Sequence, residues 1–222
     1  MENCLEIRNL TKSYTNFKLD HIDLTMPKGS VMGLIGENGA GKTTLIKMIL
    51  NIVKKDAGEI RVLGMDSQKQ ELEIKERLGV VFDQSNFHDI LDPQTVSGIM
   101  RGIYKNWDDK KFEQYLHQFG LMKNRSIREF SLGMKMKLSI AVAMSHGAEF
   151  LILDEALSGL DPVARDELLD VFLEFIQNEE CSILISSHIT SDLEKIADYI
   201  TFLHEGKVVL SRSTVSYTHL SP

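Results

Sequence analysis

The segment Gly36-Glu37-Asn38-Gly39-Ala40-Gly41-Lys42-Thr43 has the spacing G-x-x-x-x-G-K-[ST]. Those residue types serve one chemistry, the grip on a chain of phosphates. Glycines let successive backbone N–H groups turn inward around phosphate oxygens, and the helix that follows adds the positive end of its dipole. Lys42 supplies a point charge to the terminal phosphates, and the Thr43 hydroxyl can ligate Mg²⁺. Asn38, Ala40 and Thr44 complete the candidate contacts along this loop. A cradle of this kind needs a second, acidic site to finish the magnesium shell. The apolar run Phe150-Leu151-Ile152-Leu153 followed by Asp154-Glu155 offers it, because a buried strand delivers carboxylates at its C-terminal edge, where ligands of open α/β sheets bind. Asp154 is the candidate to hold magnesium, through water. Glu155, pointing the other way by the strand period of two, is the candidate to polarise an attacking water.

The flanking elements must place the loop between a strand and a helix, and the pattern does so. VMGLIG is a short apolar run ending in glycine, and Leu45, Ile46, Ile49 and Leu50 then recur at helical spacing. Before it, CLEIRNLTKSY and FKLDHIDLTM alternate apolar and polar residues, and Pro27-Lys28-Gly29 closes them as a turn, which predicts an added antiparallel layer. EIRVLG and RLGVVFD read as further short strands. From about Ser85 to Ala148 helical patterns dominate (VSGIMRGIY, KKFEQYLHQFG, SLGMKMKLSIAVAMSHG), which predicts a helical subdomain inserted between strands. After EFLILDE come the helix PVARDELLDVFLEFIQNEE, the strand CSILISSH, the helix SDLEKIADY and a hairpin YITFLHEGKVVLSR turning at Glu205-Gly206. Strands alternating with helices predict a mostly parallel sheet with crossover helices, an α/β fold in one domain over residues 1–212. Residues 213–222 continue no pattern.

Composition narrows the function. The chain has 222 residues, with 25 Lys and Arg against 32 Asp and Glu, a net charge of −7 that argues against a protein built to neutralise nucleic-acid phosphates. Hydrophobic residues at 43% and charged residues at 26% are those of an ordinary globular protein. Cys4 and Cys181 are too few for a disulfide framework or a zinc site, and no apolar run approaches the roughly 18 residues of a membrane span.

Taken with three further motifs in order, these residues resemble the ATP-binding subunit of an ATP-binding-cassette (ABC) transporter, from about Leu5 to Leu210. Ser131-Leu132-Gly133-Met134-Lys135 resembles the family signature, Ser158-Gly159-Leu160-Asp161 the D-loop, and His188 the switch histidine. Tyr14 sits where the family stacks an aromatic ring on adenine, although an aromatic in a strand also packs for its own sake. The resemblance implies a P-loop nucleoside triphosphatase fold, ATP and Mg²⁺ as ligands, and hydrolysis with Glu155 and His188 as the catalytic pair. It also implies a head-to-tail dimer in which each ATP lies between the phosphate loop of one subunit and Ser131 and Gly133 of the other, with Asp161 coupling the two sites. An integral membrane permease would be the further partner, placing the chain in the cytoplasm on the inner face of the membrane. The Tyr/Phe-Ser-x-Gly-Met form of the signature resembles bacterial drug, bacitracin and lantibiotic exporters.

Two departures stand out. Leu132 replaces the usual Gly or Lys, and Ala156 the usual Pro after the glutamate. Counted from Gly79, the family's Q-loop glutamine falls on Asp83, with Gln84 one residue later as the competing magnesium ligand. A non-transport relative acting on ribosomes or chromosomes is the alternative. Ribosome-type members carry two cassettes, whereas one Gly-rich loop is present, and the interval from Thr43 to Asp154 lacks the sustained heptads of chromosome-type members. Met134, Met136 and Met144 read as helix packing, and His21, His88, His117, His146, His204 and His219 as surface or capping residues. In Asn86-Phe87-His88-Asp89-Ile90, where the family docks a helix of the membrane subunit, Phe87 and Ile90 read as exposed apolar anchors, with a plain loop as the alternative.

Overall fold

The computed structural model describes residues 2–84 and 87–213. The expectations for Ser85, Asn86, His219 and the tail from 214 lie outside the described residues. Four strands form an antiparallel sheet: β1 (Asn3–Tyr14), β2 (Phe17–Pro27), β4 (Ala57–Val62) and β5 (Met65–Asp66), in the order β2-β1-β4-β5. Alternation drives their burial. Leu19, Ile22, Leu24 and Met26 of β2 point inward, and a bulge at His21 (φ 52°) lets Asp20 and His21 both face away without losing that register.

The second sheet carries six strands in the order β10-β9-β3-β8-β7-β6, built from β3 (Val31–Ile35), β6 (Leu78–Val81), β7 (Phe150–Asp154), β8 (Ser182–Ser187), β9 (Tyr199–His204) and β10 (Lys207–Ser213). All neighbours are parallel except the β9–β10 hairpin at one edge. Ser213 is the last residue of β10, so the final strand runs one residue past the boundary read from the sequence. The central strands β3, β7 and β8 are buried along their whole length, with runs of apolar residues, because both faces are covered. Leu151 and Leu153 of β7 face one core, with α5 (Leu132–Met144) and α6 (Pro162–Phe175). Phe150 and Ile152 face the other, with α1 (Lys42–Ile49) and the antiparallel sheet. Leu168, Leu169, Phe172 and Phe175 of α6 are all buried, as their helical stripe predicts.

Between β6 and β7 lie α3 (Pro93–Ile103), α4 (Asp109–Gln118), a 3₁₀ turn at Ile127–Glu129 and α5. Asp92 caps α3 by accepting from the Thr95 N–H at 2.7 Å, with Pro93 at the first helical position. Asp109 ties α3 to α4, accepting from the Ser97 hydroxyl (2.6 Å), the Trp107 indole (2.9 Å) and the Arg101 guanidinium (2.8 Å).

One element had no expectation from the sequence, and three local readings are corrected. The charged helix α2 (Glu71–Arg77) has Ile74 as its buried residue, too little apolar signal to be read from periodicity. The helix expected over SDLEKIADY shortens to α7 (Thr190–Leu193), because Asp198 must reach β3, where its N–H donates to the Val31 carbonyl at 2.9 Å. His146 is not a surface residue: it is 1% exposed, stacked on Tyr104 at 3.8 Å, with its ring nitrogens on the Leu78 and Val142 carbonyls, and burial pushes its pKa down. Phe87 is partly buried against the core, which leaves Ile90 (79% exposed) as the one free anchor of that pair.

Candidate functional site

The turn from β3 into α1 is set by Gly41, which caps α1 at φ 110°, a conformation barred to L side chains, and packs so closely that a Cβ there would meet Phe17 at 2.7 Å and Leu19 at 2.8 Å. Lys42, 5% exposed, folds back over the loop and donates to the carbonyls of Gly36 (2.6 Å) and Glu37 (3.3 Å). Its Nζ lies 3.2 Å from Glu155 Oε1. Asn38 and Gly39 are exposed, Ala40 is buried, and Thr43 and Thr44 open the helix with Thr43 at the surface.

Parallel pairing of β7 with β8 sets Asp154 beside Ser186. The Ser186 hydroxyl donates to Asp154 Oδ1 at 2.7 Å and accepts from the Glu155 N–H at 2.9 Å, so one hydroxyl fixes both acids. Glu155 is past the strand end rather than on its alternation: at φ 53° the backbone takes the left-handed region and the side chain turns with it. Its Oε2 accepts from His188 Nδ1 at 2.8 Å; an ionised carboxylate only accepts, so the proton sits on Nδ1. Glu155 Oε1 is a buried oxygen with no hydrogen-bond partner among the described residues, its contact with Lys42 being ionic and off the hydrogen-bond direction.

Thr43, Asp154 and Glu155 line one cavity of about 490 Å³ together with Lys47, Asp83 and Gln84. Both Q-loop candidates therefore face the same space. The donors gathered there are hydroxyl, carboxylate and amide oxygens, the set a hard divalent cation takes, so the residues fit magnesium.

Tyr14, at the end of β1, is 48% exposed, with its ring 6.4 Å from that of Phe17 and Lys12 5.7 Å from its centre. Through Phe17, which packs against Gly41, it flanks the phosphate loop. Ser131 caps α5, accepting from the Met134 N–H at 3.2 Å, and Gly133 faces Leu160 and Ala164. Asp161 caps α6 by accepting from the Ala164 N–H at 3.1 Å. No hydrogen bond or ion pair among the described residues joins Ser131, Gly133 or Asp161 to the phosphate loop. The structure thus gathers Lys42, Thr43, Asp83, Gln84, Asp154, Glu155 and His188 in one place and leaves the signature elsewhere on the same chain. Sequence reasoning passed over Ser186; its signal was a hydroxyl inside the apolar run CSILISSH, at the strand end level with the acids.

A phosphate loop between a parallel strand and a helix, with acids at the tip of β7 one strand removed in the same sheet, defines a P-loop nucleoside triphosphatase. Residues 19–158 match the ABC transporter family. The chain is 36% identical over 94% of its length, and 90% of the relative's, to a lantibiotic transport ATP-binding protein of Streptococcus pyogenes. To a bacitracin transport ATP-binding protein of Bacillus licheniformis it is 33% identical over 99% of its length and 72% of the relative's. A solved ATP-binding subunit of an ABC transporter superposes with a TM-score of 0.83 at 26% identity, covering 96% of this chain and 91% of that one. The chain belongs to the ABC transporter family, as an ATP-binding subunit.

Proposed function

We propose that this subunit hydrolyses ATP in a head-to-tail dimer and thereby drives a separate membrane-spanning partner in export, at the cytoplasmic face of the membrane. The observation that carries the hydrolytic part is the orphaned, buried Glu155 Oε1 within reach of Lys42. A carboxylate oxygen held out of bulk water with no donor of its own is ready to accept a proton from an attacking water. Lys42 and the loop amides grip the β- and γ-phosphates, and Tyr14 stacks on adenine. Thr43, Asp154 and Asp83 or Gln84 would hold magnesium, which when bound neutralises phosphate charge. His188 keeps Glu155 aimed through Nδ1; to donate to the γ-phosphate from Nε2 at the same time, its ring must carry both protons.

The dimer is supported by the separation of Ser131 and Gly133 from the chain's own phosphate loop. Ser131 at the start of α5 would present helix N-terminal amides to the γ-phosphate held by the other subunit, and Asp161 would meet the facing site. The membrane partner is supported by the relatives' names and by a cleft of about 1030 Å³ between α2 and the end of α3, rimmed by the exposed Ile52, Leu72 and Ile103. Among the described residues no helix is long and apolar enough to cross a membrane. The likeness to lantibiotic and bacitracin transport proteins supports a peptide antibiotic as cargo.

Calorimetric titration with magnesium and ATP tests the reading. Lys42→Ala is expected to weaken binding about tenfold or more, the worth of one charge-assisted contact; unchanged affinity would remove the loop from its role. Ser131→Arg is expected to bind ATP like the wild type yet to stay monomeric in sedimentation. Loss of monomer binding in that variant would put Ser131 in the fold instead.

A further inference from the structure

Arg165, in the first turn of α6, is 21% exposed in its side chain, and Asp192 on α7 is 5% exposed. One guanidinium nitrogen, Nη2, donates to the Leu160 carbonyl at 3.1 Å. Another, Nε, faces Asp192 Oδ2 at 3.5 Å, too far for a hydrogen bond, and both atoms are buried without a hydrogen-bond partner among the described residues. A nearly buried carboxylate facing a half-withdrawn guanidinium, with the facing atoms incompletely paired, is costly, and a cost of this kind needs a reason. Tying α6 to this part of the chain is not a sufficient one, because the surface pair Lys195–Asp166 already joins α6 to the segment just after α7 at 2.7 Å.

The reason lies in what each partner holds. Leu160 belongs to the loop 158–161, whose Ser158 N–H donates to the Glu155 carbonyl at 2.9 Å. Asp192 sits four residues after His188, whose Nδ1 is 2.8 Å from Glu155 Oε2. The contacts close a ring: Glu155, the D-loop, Arg165, Asp192, α7, His188 and back to Glu155. The geometry points to Arg165 and Asp192 as positioning residues for hydrolysis, which set the register of the D-loop against the switch histidine so that a displacement of either moves both. The hydrolytic role rests on the function proposed above, whereas the linkage itself does not. The open 3.5 Å gap leaves room for the pair to tighten when the two loops draw together.

The test uses the full chain as wild type, Arg165→Met, Asp192→Leu, Asp192→Asn and the double variant Arg165→Met/Asp192→Leu. Each single variant strands a buried charge and lowers the melting temperature; the double variant removes both charges and restores it towards wild type. With that stability restored, kcat for ATP is expected to stay about tenfold or more below wild type at nearly unchanged KM, since the register of a catalytic group and not binding has been lost. If kcat recovers with the melting temperature, the pair is structural and the inference falls. Hydrogen exchange without nucleotide provides an arm independent of turnover. In Asp192→Asn, which keeps the shape, amides in 157–161 are expected to exchange about fivefold or more faster although the substitution lies on another element. Unchanged exchange there overturns the linkage. A wild type that binds ATP but shows no turnover would defeat the hydrolytic reading above, and the exchange result would still decide for or against the ring.

Discussion

Glu155→Gln is expected to hydrolyse ATP about 10²–10⁴-fold more slowly than the wild type while binding it as tightly, the usual worth of a general base. The amide preserves nearly everything except basicity. Ser186 holds residue 155 through its backbone N–H, so the left-handed turn survives, and an amide oxygen can still accept from His188 Nδ1. Lys42 loses an anionic neighbour at 3.2 Å, which leaves its charge more available to phosphate and so does not weaken binding. Single-turnover phosphate release measures the loss, and sedimentation with ATP checks that a dimer still forms. Hydrolysis at the wild-type rate would exclude Glu155 as the base and move the search to another group on the cavity.

Gly206→Ala is expected to lower the melting temperature by roughly 5–15 °C, from about 1–2 kcal/mol of left-handed backbone strain plus about 1–3 kcal/mol of overpacking in a chain of this size. Gly206 has φ 72°, and a Cβ there would lie 1.8 Å from the Lys18 carbonyl oxygen, a backbone atom with nowhere to go. The residue also joins three elements: its N–H donates to the Ala40 carbonyl of the phosphate loop at 3.1 Å, and its carbonyl accepts from the Asp20 N–H of β2 at 2.8 Å. Pushing the hairpin tip away therefore disturbs the loop, and ATP affinity should fall along with stability. Gly64→Ala is the control, because Gly64 has φ 77° but nothing within 4 Å of its Cβ position, so it carries the backbone strain alone. Equal melting temperatures for the two variants would show that the tip contact is not needed.

Much of this was written in local pattern. The phosphate loop, the acids after an apolar strand and the two-sheet arrangement follow from motif spacing and period-two alternation, which act over a few residues. What the sequence did not disclose depends on neighbours that meet only when strands pair. Ser186 becomes a fixer of Asp154 and Glu155 because β7 and β8 run in parallel register. Glu155 leaves the strand alternation because its N–H turns to Ser186. His146 looked polar and therefore exposed, yet Tyr104 and the Leu78 carbonyl from distant segments, with the Val142 carbonyl one turn back, give it a buried site. Arg165 and Asp192 are ordinary helix residues until the fold places them between two loops.

The alternation of β7 gives Leu151 and Leu153 to one core and Phe150 and Ile152 to the other. Consecutive residues of a single strand thus belong to separate compartments, one shared with the nucleotide-gripping helix and one with the helices that begin at Ser131 and after Asp161. The acids at its tip stand where those compartments meet, like a pin through two plates, so that a tilt of one plate against the other would pass through them.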